Sequence, residues 1–175
     1  MSDEILFAED TDEEIELQGK WKVLIVDDEP ELHAVTKLAL GDFVFQEKDL
    51  ELISAFDGEE ARRMFLEHKN IAMVFLDVVM ETDDAGFKVA EFIRNEANNH
   101  FTWIILRTGQ PGQAPERDVI INYVINDYKS KTELTSQKLF TVVLAALRSY
   151  RDIIVIEENR QSLEKIILAS ANLFS

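Results

Sequence analysis

From Trp21 onward, short apolar runs alternate with amphipathic stretches. Val23-Leu24-Ile25-Val26 contains no polar residue and stops abruptly at Asp27-Asp28. Glu31 to Leu40 then reads as a helix, with Pro30 suited to its first turn and Gly41 to its end. Leu50 to Phe56 predicts a second strand, and Asp57 an N-cap for a helix reaching His68. Ile71 to Leu76 is a third apolar run, ended by Asp77. Gly86 to Asn95 reads as a helix, and Thr102 to Leu106 as a fourth strand ended by Arg107-Thr108. Gly109 to Pro115, with two Gly and two Pro, is a loop; a short helix to about Tyr123 and a fifth strand, Val124 to Tyr128, follow it. From Thr135 to Ser175 there is no Gly or Pro, and the segment reads as helix.

Repeated strand-helix alternation predicts an α/β fold, a doubly wound parallel sheet with helices on both faces. Unbroken apolar strands are what a sheet buried on both sides requires. Ligands of such sheets bind beyond the carboxyl ends of the strands. The residues standing there are Asp27 and Asp28, Asp77, Thr108 and, just past the fifth strand, Lys131. Three carboxylates converging on one sheet edge repel one another unless a cation joins them. Magnesium, or manganese in its place, suits such a site, since it takes one or two carboxylates, phosphate oxygens and water. The chain has no Cys, and His33, His68 and His100 are away from these strand ends, which disfavours zinc and copper. A carboxylate beside such a metal can attack a phosphoryl group and form an acyl phosphate. A hydroxyl at Thr108 and an ammonium at Lys131 would supply donors for the phosphoryl oxygens.

Four strings, at the right strand ends and in the right order, carry a resemblance: Val-Leu-Ile-Val-Asp27-Asp28-Glu29-Pro30, Val-Phe-Leu-Asp77-Val-Val-Met80, Ile-Leu-Arg-Thr108-Gly109 and Asn126-Asp127-Tyr128-Lys-Ser-Lys131. From about Lys20 to Asp152 the chain resembles the receiver domain of bacterial two-component response regulators. The resemblance implies a flavodoxin-like, five-stranded sheet of order 2-1-3-4-5. It implies that Asp77 is the phosphoacceptor, Asp28 a direct metal ligand, Asp27 a ligand often bridged by water, and the Val79 carbonyl the remaining protein ligand. Thr108 and Lys131 would contact the phosphoryl oxygens, and Tyr128 would change burial together with Thr108 on activation. The donor would be a histidine kinase, a phosphotransfer protein or a small phosphodonor in the cytoplasm. The chain itself would be a switch rather than an enzyme with turnover. A receiver-like interaction module that never takes phosphate is the alternative.

Two positions depart from the family pattern. Thr132 follows Lys131 where Pro with a cis bond is usual, and a cis bond without Pro costs roughly 2.5–4 kcal/mol. The Lys131 ammonium could therefore be displaced, with Lys129 a competing candidate. Met80-Glu81 replaces the usual Met-Pro, and Glu81, Asp83 and Asp84 add acidic groups near the site. Other readings of the alternation fail at single positions. A dinucleotide site needs a Gly-rich turn after the first strand, where this chain has Asp-Asp-Glu-Pro. An Asp-nucleophile phosphatase would usually want a second Asp two residues on, where Val79 stands.

Charge narrows the partners. Residues 1–19 hold eight acidic residues and no Lys or Arg, half of a formal net charge of -16, and read as a solvated, largely disordered leader. So acidic a chain is a poor direct partner for nucleic acid. No apolar run reaches the ~18 residues of a membrane span. The segment from Arg107 to Glu116 and that from Asn159 to Ser175 look like larger regulators, in which an N-terminal receiver precedes a middle region and an HD-type phosphohydrolase. The chain is then expected to be part of such a protein, with residues 153–175 a helical extension toward an output region. Leu139, Ala146, Ile153, Ile167 and Phe174 recur at seven-residue spacing, with Val142, Ile156 and Leu163 three positions on. That seam, interrupted by Ser149, Arg160 and Ser170, predicts a homodimer through the C-terminal helix, with Ile153 to Ile156 the place for a bend.

Overall fold

The computed structural model describes residues 19–109 and 116–174. The acidic leader up to residue 18, the loop at 110–115 and Ser175 lie outside the described residues. The elements are β1 (Trp21–Val26), α1 (Pro30–Ala39), β2 (Val44–Phe45), β3 (Lys48–Ala55), α2 (Gly58–Glu67) and β4 (Ile71–Asp77). They continue with α3 (Ala85–Glu91), β5 (Trp103–Thr108), α4 (Glu116–Tyr123), β6 (Asp127–Ser130) and α5 (Ser136–Leu173). The sheet order is β2-β3-β1-β4-β5-β6. β3, β1, β4, β5 and β6 are parallel, which is the expected 2-1-3-4-5 order of a doubly wound sheet.

The sixth strand was not anticipated, and it makes the sheet mixed. Val44–Phe45 pairs antiparallel with the start of β3 through a two-residue turn at Gln46 and Glu47. Both turn residues have positive φ (51° and 62°), the conformation that matches hairpin twist. Neither is Gly or Asn, so the usual hairpin signal is missing from the residues. The last strand also lies later than expected, at Asp127–Ser130 instead of Val124 to Tyr128. Val124 has φ 50°, and its carbonyl accepts from Arg94 Nε at 3.0 Å, so it turns the chain rather than extending the ladder. Arg94 also donates to the Asn99 carbonyl and to Asn126 Oδ1, and Asn126 Oδ1 accepts the Ile104 N–H as well. This buried clamp sits in a π-helical turn, Phe92–Glu96, that widens the end of α3. Burial pulls the Arg94 pKa down to about 10, leaving it charged at neutral pH.

The sheet separates two apolar layers. Leu24, Val26, Val74, Leu76, Ile104 and Leu106 face α2, α3 and α4. Val23, Ile25, Met73, Phe75 and Ile105 face the other side, where Leu139, Val143, Ala146, Leu147 and Tyr150 of α5 cover them. Leu139 and Ala146, the first two members of the seven-residue seam, are therefore spent within the domain. From Val155 on, α5 runs on without a break and with its side chains exposed, Glu157 alone being half-buried. The β-branched run does not interrupt it. Arg160 is held along the helix by Glu157 and Glu164. Among the described residues no helix is long and apolar enough to cross a membrane.

Candidate functional site

β1, β4 and β5 end side by side, with Val26 level with Leu76 and Asp77 level with Arg107. Side chains alternate along a strand, and Ile25, Phe75 and Ile105 face α5. Two residues on, the same face of the sheet edge carries Asp27, Asp77 and Arg107 in one row. α1 begins directly after β1 and brings Asp28 and Glu29 to that row. Glu29 N–H donates to Asp27 Oδ1 at 3.0 Å, which closes the turn.

One carboxylate oxygen from each of Asp27, Asp28, Glu29 and Asp77 lies within 4.8 Å of the others. Asp27 and Asp77 are buried, while Asp28 and Glu29 are open to solvent. Lys131 enters among them, its Nζ 2.8 Å from Glu29 Oε1, 3.0 Å from Asp77 Oδ2 and 3.2 Å from Asp27 Oδ2. It does so with no cis peptide bond among the described residues, so the trans Lys131-Thr132 bond does not carry the ammonium away. Lys129 pairs instead with Asp127 at 3.5 Å.

Burial raises the Asp77 carboxyl to about 6; the hydrogen bond from Lys131 opposes this, and the charges of Asp27 and Asp28 add to it. For Lys131 burial acts downward, but the hydrogen bonds to Glu29 and Asp77 and the charges of Asp77 and Asp27 outweigh it and raise its pKa. Thr108 ends β5 and is buried, with its carbonyl accepting from the Lys131 N–H at 2.8 Å. Tyr128 is buried on the opposite face of the sheet, in the layer that holds Leu106 and Val119. Val79 lies in the turn after β4, its side chain packed on that same layer.

That turn is shaped by Gly86, where an added Cβ would lie 2.1 Å from the Asp77 carbonyl oxygen. Its N–H donates to the Val78 carbonyl at 3.0 Å, so the start of α3 is held directly against the backbone of the acidic edge. Of the extra acidic groups, Glu81 accepts the Gly58 N–H at 3.0 Å and so caps α2, and Asp84 pairs with Lys88 at 3.0 Å. Both are tied to helices rather than aimed at the carboxylate cluster.

Three further residues belong to the site. Glu29 was quoted only as part of a string, yet it is the shortest partner of Lys131. His33 Nε2 lies 2.7 Å from the Asp27 carbonyl and Nδ1 3.0 Å from Ser54 Oγ. A carbonyl only accepts, so Nε2 carries a proton and donates it to the Asp27 carbonyl. Arg107 is buried, with NH2 3.8 Å from Asp27 Oδ2. Its signal was present in the chain as a charge inside an apolar strand.

The donor set fits a hard divalent ion: four carboxylate oxygens converge, and Asp27 Oδ2 is buried with only the Lys131 ammonium beside it. Asp27, Asp28 and Asp77 could hold it, with Glu29 beside them.

Comparisons with known proteins place the whole. A family model described as "Domain of unknown function (DUF3369)" matches residues 143–175, which include the projecting half of α5. The 3'3'-cGAMP-specific phosphodiesterase 2 of Vibrio cholerae serotype O1 is 50% identical over 155 residues, covering 89% of this chain. This chain spans 30% of the length of that relative. Among solved structures, the chemotaxis protein CheY4 of Vibrio cholerae matches with a TM-score of 0.60 at 22% identity, over 74% of this chain and 100% of that one. The signal receiver domain of a LuxO repressor protein from Vibrio parahaemolyticus matches with a TM-score of 0.61 at 21% identity, over 79% and 98%. In its fold, this chain is like these structures: a doubly wound α/β domain with the CheY-like arrangement of strands and helices.

Proposed function

We propose that the domain over residues 20–152 is a metal-assisted phosphoryl switch, with Asp77 the acceptor and residues 153–175 the extension that passes its state on. The reading rests above all on one observation: a buried Asp77 carboxylate shares Lys131 with Asp27 and Glu29 inside a converging set of four carboxylates. Asp77 Oδ forms a bond to the phosphorus of a phosphohistidine or a small acyl phosphate, and the bond to the leaving group breaks. The leaving imidazole or carboxylate takes its proton, where it needs one, from water. Lys131 then moves from the Asp77 carboxylate to a phosphoryl oxygen, and the Thr108 hydroxyl serves another. Tyr128 repacks as Thr108 moves.

Mg2+ or Mn2+ would be held by Asp27, Asp28, Asp77 and the Val79 carbonyl. Bound there, it would offset the negative charge gathered on the transferred group. Asp27 and Glu29 orient the site through the closed turn and through Lys131. Neither a nucleic acid nor a membrane is a direct partner in this reading, and the place of action is the cytoplasm. The phosphodonor is a histidine kinase or a phosphotransfer protein. The 50% identical relative is named as a phosphodiesterase, and this chain spans 30% of it. The same arrangement in a longer chain would set a phosphohydrolase, of HD type as the sequence resemblance implies, under the control of Asp77. The exposed half of α5 joins two copies.

Labelling with acetyl phosphate, with and without Mg2+ and followed by site mapping, tests the reading. Metal-dependent label on Asp77, lost in a folded Asp77→Asn chain, is the expected result. No label under any condition supports the phosphate-independent interaction module instead, and stable label on another residue overturns the assignment of Asp77.

A further inference from the structure

Arg107 is the one strongly charged group in β5, and its surroundings do not satisfy it. It is 3% exposed, NH1 donates to Thr36 Oγ1 at 3.3 Å, and the guanidinium lies 4.9 Å over the Phe75 ring. Nε and NH2 have no hydrogen-bond partner, and the nearest carboxylate oxygen, Asp27 Oδ2, is 3.8 Å from NH2 and ion-paired with Lys131 at 3.2 Å. Burying a cation with so little pairing is costly. A strand position between two apolar layers would ordinarily take Leu or Ile. Burial pulls the Arg107 pKa below the usual arginine value, and the charges of Asp27, Asp77 and Glu29 oppose that only in part.

Lys131 and Arg107 are not equivalent cations. Lys131 reaches the carboxylates at the end of a long, flexible side chain, and its ammonium can leave for another oxygen. Arg107 is walled in by Phe75 and Thr36 and stays where it is. We propose that Arg107 is a permanent interior counter-ion of Asp27, a positioning residue that keeps the acidic edge assembled when no metal is bound and lowers its affinity for divalent ions. Every cation arriving at Asp27 shares that carboxylate with a fixed positive charge on its buried side. When Lys131 leaves for a phosphoryl oxygen, Arg107 remains as Asp27's partner. This rests on the metal-assisted reading above.

Calorimetric titration of the full chain with Mg2+ alone tests it. Arg107→Met keeps volume and apolar contact but removes the charge, and binds Mg2+ at least about fivefold more tightly. Arg107→Lys, which keeps the charge, stays within about twofold of wild type. Arg107→Gln is carried alongside with the same expectation as Arg107→Met, so that one neutral chain remains should the other fail to fold. Unchanged or weaker binding in the folded neutral variants overturns the inference. So does equal tightening in Arg107→Lys, which would make packing rather than charge the cause. Binding in neither wild type nor any variant removes the metal site itself, a failure distinct from the first two.

Discussion

Near pH 7 the metal-free domain holds Asp77 ionised in surroundings that favour its neutral form, since burial raises the carboxyl from 3.8 to about 6. Between those values the folded chain takes up more protons than the unfolded one. The stabilising contribution is therefore complete below about pH 4 and is lost as the pH rises through about 6. Asp77→Asn removes the penalty. In chelator at pH 7 it should melt above wild type, by about 1–3 kcal/mol of stability, with the gap closing by pH 4. Parallel curves across that range would refute the assignment of the charge penalty to Asp77. The two neighbouring aspartates should behave differently from each other. Asp28 is open to solvent, and Asp28→Ala relieves repulsion, so the metal-free chain gains stability while Mg2+ affinity falls by about tenfold or more. Asp27→Ala weakens Mg2+ binding less, and it leaves the buried Arg107 facing a gap, so this chain loses stability. Thermal melts in chelator beside Mg2+ titrations would separate the pair, and a weaker Mg2+ site in Asp27→Ala than in Asp28→Ala reverses the ranking.

Elements hold this edge in place through backbone contacts. Gly86→Ala forces a methyl to within 2.1 Å of the Asp77 carbonyl oxygen, which α3 can relieve only by backing away from β4. The expected cost is about 2–3 kcal/mol of stability, with slower phosphodonor labelling because Asp77 shifts. Glu81→Ala is milder, about 1 kcal/mol for the lost cap on α2, with labelling nearly unchanged. Denaturant melts paired with labelling rates check both. The same elements show what could be read without coordinates. β1, β4 and β5 were legible because each carries an unbroken apolar run cut off by a polar residue, and four of the five site positions stand at those cuts. Lys131 was legible only by its distance from Tyr128. The β2 hairpin was not, because Gln46 and Glu47 adopt positive φ without the Gly or Asn that announces it. The last strand was placed early because Val124-Ile125 looks extended, whereas the Arg94 clamp that turns the chain there joins residues 30 positions apart. His33 and Arg107 were missed for a related reason: their roles come from packing across elements.

At the scale of the molecule, α5 divides at about Ile154. Before it, the helix is part of the core; after it, Ile156, Leu163, Ile167 and Phe174 stand 60–92% exposed. The seven-residue seam therefore cannot serve a dimer along its whole length, and only its second half is available. Light scattering of the full chain at tens of micromolar should give a dimer, and a chain ending at Tyr150 a monomer. Monomers in both, with and without phosphodonor, would end the dimer proposal. The unbroken helix has a mechanical consequence of its own. From Val155 to Leu173 it extends roughly 28 Å from its anchorage on the sheet. A tilt of about 10° at that anchorage swings the far end by about 5 Å, close to one helical turn. In the proposed switch α5 would be a lever anchored on the sheet by Leu147 and Tyr150, and a small adjustment at the sheet edge would be enlarged before it reaches Phe174.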